Sequence, residues 1–311
     1  MASARVSSIR RSDEIRSLAA ALVPERAARS DPAVSWLESV TGLVQRAVDK
    51  WDLEVDDGEL RHGGFAIVVP VSRAGEKCVL TVSQLTGAVA TEALALSAWD
   101  GRGAVRLVEA DPGAGVLLLE RLNPWRTLFD LPWPAAALRA AGLLRRLASV
   151  GAPPGVSSLS QVAETIAEAL PDRNERAGRP VPKPYLETAV GLAREIGPGA
   201  GDRLVHADLH YGNVLAADRE PWLAIDPRVV AGDPEHAVPE LLWARLDEVG
   251  AAAIPRLLAM IVAAADLDPD LARSWSIVRC TDYWLWALEN GMTEDPRRCQ
   301  RIIDVLADEP R

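Results

Sequence analysis

The side chains best suited by type and spacing to do chemistry lie in Leu204-Val205-His206-Ala207-Asp208-Leu209-His210-Tyr211-Gly212-Asn213-Val214-Leu215 and, shortly after, in Ala224-Ile225-Asp226-Pro227. Asp208 and Asn213 share one loop between short apolar runs, and Asp226 ends the next run. Singly, each has an ordinary explanation: a turn cap for Asp208, an Asx turn for Asn213, a strand-end cap for Asp226. Together they form the set that phosphoryl transfer requires. A carboxylate that accepts the hydrogen bond of an attacking hydroxyl aims its oxygen at a γ-phosphate, and positioning supplies most of the catalysis in this chemistry. An amide oxygen and a second carboxylate are the hard donors Mg²⁺ prefers, with phosphates and water completing its shell. Asp208 is thus the candidate catalytic group, and Asn213 and Asp226 are the candidate metal ligands. His206 and His210 flank Asp208, but no further ligand follows at zinc spacing, so both are expected to fix the loop through backbone hydrogen bonds.

Positioning this set needs short strands around the motif, and the sequence offers them at Arg203 to Val205, Val214 to Ala216 and Trp222 to Ile225. Around them the chain from about residue 123 reads as mainly helical. Leu138, Ala141, Leu144 and Leu147 form one stripe; Ile254, Leu257, Leu258, Ile261 and Val262 a second; Ile277, Cys280, Trp284 and Leu288 a third. The preceding region is β-rich. Phe65 to Val71 and Cys78 to Val82 are β-branched runs joined by Arg73-Ala74-Gly75-Glu76, which predicts a hairpin. A helix from about Val89 to Trp99 follows, ended by Asp100-Gly101, then strands at Val105 to Glu109 and Val116 to Glu120. Two helices are predicted first, from Ser12 to about Ala28 and from Ser35 to Val48, the second with Ser35 and Glu38 as a capping box. Leu122-Asn123-Pro124 marks a boundary. The expected organisation is a helical segment over 1–50, a β-rich nucleotide-binding lobe over 51–122 and a helical catalytic and substrate lobe over 123–311.

Composition removes several alternatives. The net charge of −10, with no Lys/Arg cluster interleaved with aromatics, argues against a nucleic-acid partner. An acidic surface suits a cationic small molecule, although it serves solubility equally well. The three cysteines offer neither a disulfide framework nor a zinc pattern. No apolar run spans a bilayer and the N-terminus does not read as a signal peptide, so a cytoplasmic protein without a membrane partner is expected. Oligomeric state is not legible.

The motif as a whole resembles the aminoglycoside phosphotransferase family, and within it the streptomycin 6-phosphotransferase and hydroxyurea phosphotransferase branch. The resemblance rests on the stretch from His206 to Leu215, on Ala-Ile-Asp-Pro-Arg ending at Arg228 and on Gly232-Asp233-Pro234-Glu235. It extends to Trp99 through Val105, Val116 through Leu122, and Leu285 through Gly291, covering about Trp51 to Leu306. It implies an α+β, two-lobed, protein-kinase-like fold and an ATP- and Mg²⁺-dependent enzyme that phosphorylates a hydroxyl of a small molecule, an antibiotic of the aminoglycoside kind or another, in resistance or biosynthesis. Asp208 would be the catalytic Asp, and Asn213 and Asp226 the Mg²⁺ ligands. Backbone groups from Glu120 through Arg121 to Leu122 would meet the adenine edge. Glu92 would be the helix acid that pairs with a phosphate-gripping lysine.

That lysine is absent. The family pattern of Val-Leu-Lys is here Val79-Leu80-Thr81, so Thr81 holds its position. A neutral threonine cannot make the charge-assisted contact, which is worth on the order of 1.5–3 kcal/mol. Lys77 shares a strand face with Thr81 but lies roughly 13 Å along the strand; Arg73, in the turn, is the other candidate cation. Ala237 stands where the family usually has an acid. Three readings follow: an active small-molecule kinase, a catalytically weak or inactive relative that binds ligand or nucleotide, and a binding scaffold that reuses the fold. Asp247, Glu248, Asp282, Glu289, Glu294 and Asp295 could line a pocket for a cationic acceptor, or simply face solvent.

Overall fold

The structure is a computed structural model that describes residues 12–20, 31–63 and 66–308, with residues 31–35 and 308 by their backbone alone. Its residues cluster into two compact units, one ending at Leu122 and the other beginning at Asn123, with Arg102–Ala104 belonging to the second.

The first unit is a six-stranded antiparallel sheet with helices on it. In order along the chain come helical residues 12–20 (α1), α2 (Asp31–Trp51), β1 (Glu54–Val55), β2 (Arg61–His62), β3 (Ala66–Arg73), β4 (Glu76–Ser83), α3 (Thr86–Trp99), β5 (Leu107–Asp111) and β6 (Val116–Glu120). The sheet runs β1-β3-β4-β6-β5, with β2 also paired to β3. Ala74 and Gly75, both at positive φ, make the two-residue turn between β3 and β4, the geometry whose twist matches a hairpin. Asp100, itself left-handed, ends α3 by donating its amide to the Leu96 carbonyl.

Residues 1–50 were expected as a segment apart. Their described part instead shares the sheet's core. Trp36, Val40, Val44, Ala47 and Trp51 form one buried stripe of α2, and with Ile15 and Ala19 of α1 they pack on Ile67, Val69, Val71, Cys78, Leu80 and Val82. Burial of this apolar stripe against one sheet face explains why these helices need the sheet. The predicted capping box at Ser35 and Glu38 falls inside α2, which starts at Asp31 with Pro32 in its first turn, where a fixed φ is favourable. The predicted end of the first helix and the start of the Phe65 strand lie outside the described residues.

The second unit is mainly helical: α4 (Trp133–Leu147), α5 (Leu159–Arg176), α6 (Lys183–Ile196), α7 (Val238–Trp243), α8 (Leu246–Val249), α9 (Ile254–Ala265), α10 (Pro269–Glu289) and α11 (Glu294–Asp308). Ala136, Ala137, Ala140, Ala141 and Leu144 are fully buried on α4, which packs against α9. Leu138, assigned to that stripe from periodicity, faces outward at 49% exposure, while Ala141, Leu144 and Leu147 of the stripe are buried. Two small sheets interrupt the helices. β7 (Asn123–Thr127), β9 (Val214–Ala216) and β10 (Trp222–Ala224) form one, in the order β10-β9-β7; β8 (Arg203–His206) and β11 (Val229–Gly232) form the other. β7 and β11 were not expected. Each is paired to a strand distant in sequence, and β7 carries a proline and exposed side chains, so neither shows the alternation that marks a strand locally.

No described helix is long and apolar enough to cross a membrane. The three cysteines are buried and free.

Gly115 closes the link between β4 and β6 at φ +72, where a Cβ would lie 2.2 Å from the Ser83 carbonyl oxygen. Gly115→Ala should therefore destabilise the protein by about 2 kcal/mol or more, read by urea unfolding; unchanged stability would contradict this turn geometry.

Candidate active site

Antiparallel pairing of β8 with β11 sets Val229 opposite His206 and ends just before Asp208. The β9–β10 hairpin sets Val214 opposite Ala224, and the Ile225 amide continues that ladder by donating to the Asn213 carbonyl at 2.9 Å. Asn213 and Asp226 thus emerge at one end of a hairpin, and the His206 side chain ties that end to the Asp208 loop. Its Nε2 donates to the Ile225 carbonyl at 3.0 Å, one residue before Asp226, while its Nδ1 accepts the Asp208 amide at 3.3 Å. The ring is fully buried. Burial holds its pKa down to about 4, so the imidazole stays neutral and can accept on one nitrogen while donating on the other. His210 acts more locally: its Nδ1 accepts the Gly212 amide at 3.0 Å and caps the turn over Tyr211–Asn213. The expected structural role of both histidines is what the structure shows.

Asn213 is buried and its Nδ2 donates to the Asp208 carbonyl at 2.9 Å. That bond fixes the amide orientation and leaves Oδ1 as an acceptor. Asp226 adopts φ 51, a left-handed conformation that aspartate tolerates better than most residues. Surrounding protein, and then the charge of Asp208, push its pKa up despite Arg228 and His210. The charge of Asp208 thus acts on Asp226, and Asn213 keeps an acceptor oxygen on the same loop as Asp208. This donor set fits Mg²⁺, which takes few protein ligands and keeps phosphates and water. Among the described residues no group of three or more His, Cys, Asp or Glu forms an all-protein metal cage.

The Asp208 carboxylate lies 3.7 Å from Arg228 Nε, an ion pair whose arginine is mostly exposed. Behind the loop stands a polar cluster that sequence reasoning missed. Glu240, buried on α7, accepts from Arg279 at 2.7 Å and from the Trp243 indole at 2.9 Å. Burial pushes its pKa up to about 7, against Arg279, and the charge of Asp208 adds to the push. Ala237, fully buried, lacks the acid expected there, and Glu240 supplies one a turn later. The available signal was a lone glutamate in the apolar run Ala237-Val238-Pro239-Glu240-Leu241-Leu242-Trp243. Arg245 was also missed. It donates to the Leu131 carbonyl at 2.7 Å and stacks over Tyr211, bracing the ring that follows His210.

In the first unit, Thr81 lies on β4 opposite Val68 on one side and Leu117 on the other. Glu92 is half-buried on α3. Among the three residues expected at the adenine edge, the Glu120 amide donates to the Arg106 carbonyl and the Arg121 amide to the Lys77 carbonyl. The Leu122 amide makes no hydrogen bond among the described residues. The Arg121 side chain ties Asp56 and the carbonyls of Val71 and Cys78 together. This lattice of bonds leaves Leu122 as the donor of the trio.

The family profile described as aminoglycoside/hydroxyurea antibiotic resistance kinase matches residues 50–291. A hydroxyurea phosphotransferase of Kitasatospora aureofaciens is 39% identical over 275 residues, covering 87% of this chain and 80% of the relative. A streptomycin 6-kinase of Streptomyces griseus is 37% identical over 280 residues, covering 88% and 91%. The chain belongs to the aminoglycoside/hydroxyurea antibiotic resistance kinase family. Its fold is that of solved structures far more distant in sequence. A thermostable mutant of aminoglycoside phosphotransferase APH(4)-Ia, crystallised with ADP and hygromycin B, superposes at a TM-score of 0.57 with 16% identity, covering 85% of this chain and 97% of that one. The choline kinase LicA of Streptococcus pneumoniae gives 0.60 with 14% identity, covering 87% and 99%.

This small-molecule kinase does not present its acidic helical residues as free charge. Asp282 and Glu289 both bind Arg173. Asp247 pairs with Arg298 and Arg301, Glu248 with Arg245, Glu294 with Arg297 and Asp295 with Arg298. All six acids considered as lining for a cationic acceptor are thus already paired with arginines. For Asp247, Asp282 and Glu289 the arginine comes from another helix, which periodicity along one helix could not reveal; Glu248, Glu294 and Asp295 pair with arginines three residues away along the chain.

His206 ties the site to stability. In the unfolded chain it takes up a proton near its ordinary pKa of 6.5, whereas the folded ring resists until about 4. Between those values the unfolded state binds more protons, so this contribution is present above 6.5 and is lost as pH falls. His206→Gln should lower stability at neutral pH yet weaken the loss between about pH 7 and pH 4.5 by about 2 kcal/mol, measured by urea unfolding at each pH. An unaltered pH slope would show that the ring is not held neutral.

Proposed function

We propose that this kinase transfers the γ-phosphoryl group of Mg²⁺-ATP to a hydroxyl of an antibiotic-type small molecule. The observation that carries the proposal is the convergence of Asp208, Asn213 and Asp226, with the buried neutral His206 binding the Asp208 amide and the Ile225 carbonyl at once. Asp208 accepts the hydrogen bond of the acceptor hydroxyl and aims its oxygen at the γ-phosphorus. The oxygen–phosphorus bond forms as the bond from the γ-phosphorus to the bridging oxygen breaks, ADP leaves, and the hydroxyl proton passes to the Asp208 carboxylate. Arg228, 3.7 Å from Asp208, holds that carboxylate and offers positive charge beside the transferring group. Asn213 Oδ1 and the Asp226 carboxylate would hold Mg²⁺, which when bound neutralises phosphate charge. In the first unit, the Leu122 amide would donate to the adenine edge.

The names of the relatives support a hydroxyl on hydroxyurea, streptomycin or a similar compound as acceptor. The pairing of Asp247, Glu248, Asp282, Glu289, Glu294 and Asp295 with arginines directs attention away from them as cation ligands. Recognition then rests on other groups close to Asp208.

With streptomycin and hydroxyurea offered as acceptors and phosphorylated product followed by mass spectrometry, Asp208→Asn should lower turnover at least about 100-fold while the thermal transition is kept. Retained turnover would remove Asp208 from its role. Asp226→Asn should raise the Mg²⁺ concentration needed for half-maximal activity about tenfold or more, the cost of losing one charged ligand; an unchanged requirement would place the metal elsewhere.

A further inference from the structure

The geometry of the first sheet points to Arg61 as the phosphate-binding cation of this kinase, in place of a lysine at Thr81; this rests on the reading that the first unit binds Mg²⁺-ATP. The two sheet faces are clearly distinguished. Cys78, Leu80 and Val82 on β4, and Ile67, Val69 and Val71 on β3, point into the core that α1 and α2 cover. Side chains alternate along a strand, so Thr81 and Val68 lie on the opposite face. They are direct partners in the β3–β4 register. Val68 is in turn the direct partner of Arg61 on β2. Residues directly opposite in an antiparallel pair share a face. Arg61, Val68 and Thr81 therefore form one cross-strand row on the face away from α2.

Neighbouring strands are about 4.8 Å apart, so Arg61 and Thr81 stand roughly 10 Å apart across the row. An extended arginine covers most of that span, and only the small Val68 side chain lies between. The guanidinium can then occupy the space above Thr81 that a lysine rooted there would reach. A threonine at 81 leaves this space open; a longer side chain would fill it. Arg61 is half-buried, and among its partners is the well-exposed Glu59, at 3.2 Å. Such a surface pair is weak and yields to a polyphosphate, which matches the planar fork of arginine better than a single carboxylate does.

The other cations near this strand are placed differently. Arg73 continues the alternation of Ile67, Val69 and Val71, so it belongs to the α2 face, and it is paired with Glu109 at 2.8 Å; the expectation that it might replace the lysine fails on register. Lys77 shares the face of Thr81 but lies four residues along, next to the β3–β4 turn. Arg121 is held by Asp56 and two backbone carbonyls.

Titration of the full-length protein with Mg²⁺-ATP by calorimetry tests the proposal in Arg61→Met, which keeps the apolar stem, and in Arg61→Met combined with Thr81→Lys. Arg61→Met should bind Mg²⁺-ATP about tenfold or more weakly, the loss expected for one charge-assisted contact, with an unchanged thermal transition. The double variant should recover most of that affinity, because a lysine at 81 projects into the same space; a merely structural role for Arg61 would not be rescued this way. Wild-type affinity in Arg61→Met, or no recovery in the double variant, would overturn the assignment. Failure of the wild-type protein itself to bind Mg²⁺-ATP would instead overturn the nucleotide reading on which it rests.

Discussion

One buried imidazole holds the reactive half of this protein together. His206 joins two loops that come from different strand pairs, one carrying Asp208 and the other leading to Asp226. The bridge works only for a neutral ring, since one nitrogen must accept while the other donates. Complete burial guarantees that state far below neutral pH. Burial first, and then the charge of Asp208, push the pKa of Asp226 up, so ionised carboxylates sit here at an electrostatic cost. The protein tolerates this because the loops are stitched by backbone bonds, by His206, by the Asn213 amide and by the cap that His210 provides. Functional groups held in an electrostatically poor state are what a site prepared for a charged ligand should show.

Polar burial behind the loop follows the same logic. The buried Glu240 pairs with the partly buried Arg279, and their remaining hydrogen bonds go to the Trp243 indole and the His236 carbonyl. A paired, fully bonded cluster of this kind avoids the penalty of an isolated charge and places a second acid near Asp208 after the loss of one at Ala237. Arginine has a comparable part elsewhere in the helical unit. Arg173, Arg245 and Arg298 each bind acids that would otherwise sum to a strongly negative surface. The net charge of the chain therefore says little about its acceptor.

The motif from His206 to Asp226 stood out from residue types alone because a carboxylate, an amide and a second carboxylate in that order are what phosphoryl transfer is expected to use. The strands that frame it were legible where they alternate or run apolar, as in β3, β4 and β6. β7 and β11 were not, since their pairing is the whole reason they are strands. Glu240 escaped because its meaning depends on Arg279, which stands on another helix. The same holds for Arg61, an unremarkable residue in sequence whose proposed part rests on pairing with Val68, which pairs in turn with Thr81.

The sequence by itself determined the family, the helices and the strands β8, β9 and β10 around the motif, the presence of Asp208, Asn213 and Asp226 from which the site is proposed, and the absence of lysine at position 81. These are properties of residue type and near-neighbour spacing. Only the tertiary structure decided which side chains share a face, which acids are already paired with arginines, which of the Glu120–Leu122 amides is open, and that α1 and α2 belong to the sheet's core. Register between strands, and reach between helices, depend on contacts among residues far apart along the chain. No local pattern encodes them, because the free energy that selects them comes from burying apolar faces together and satisfying every polar group that this burial encloses.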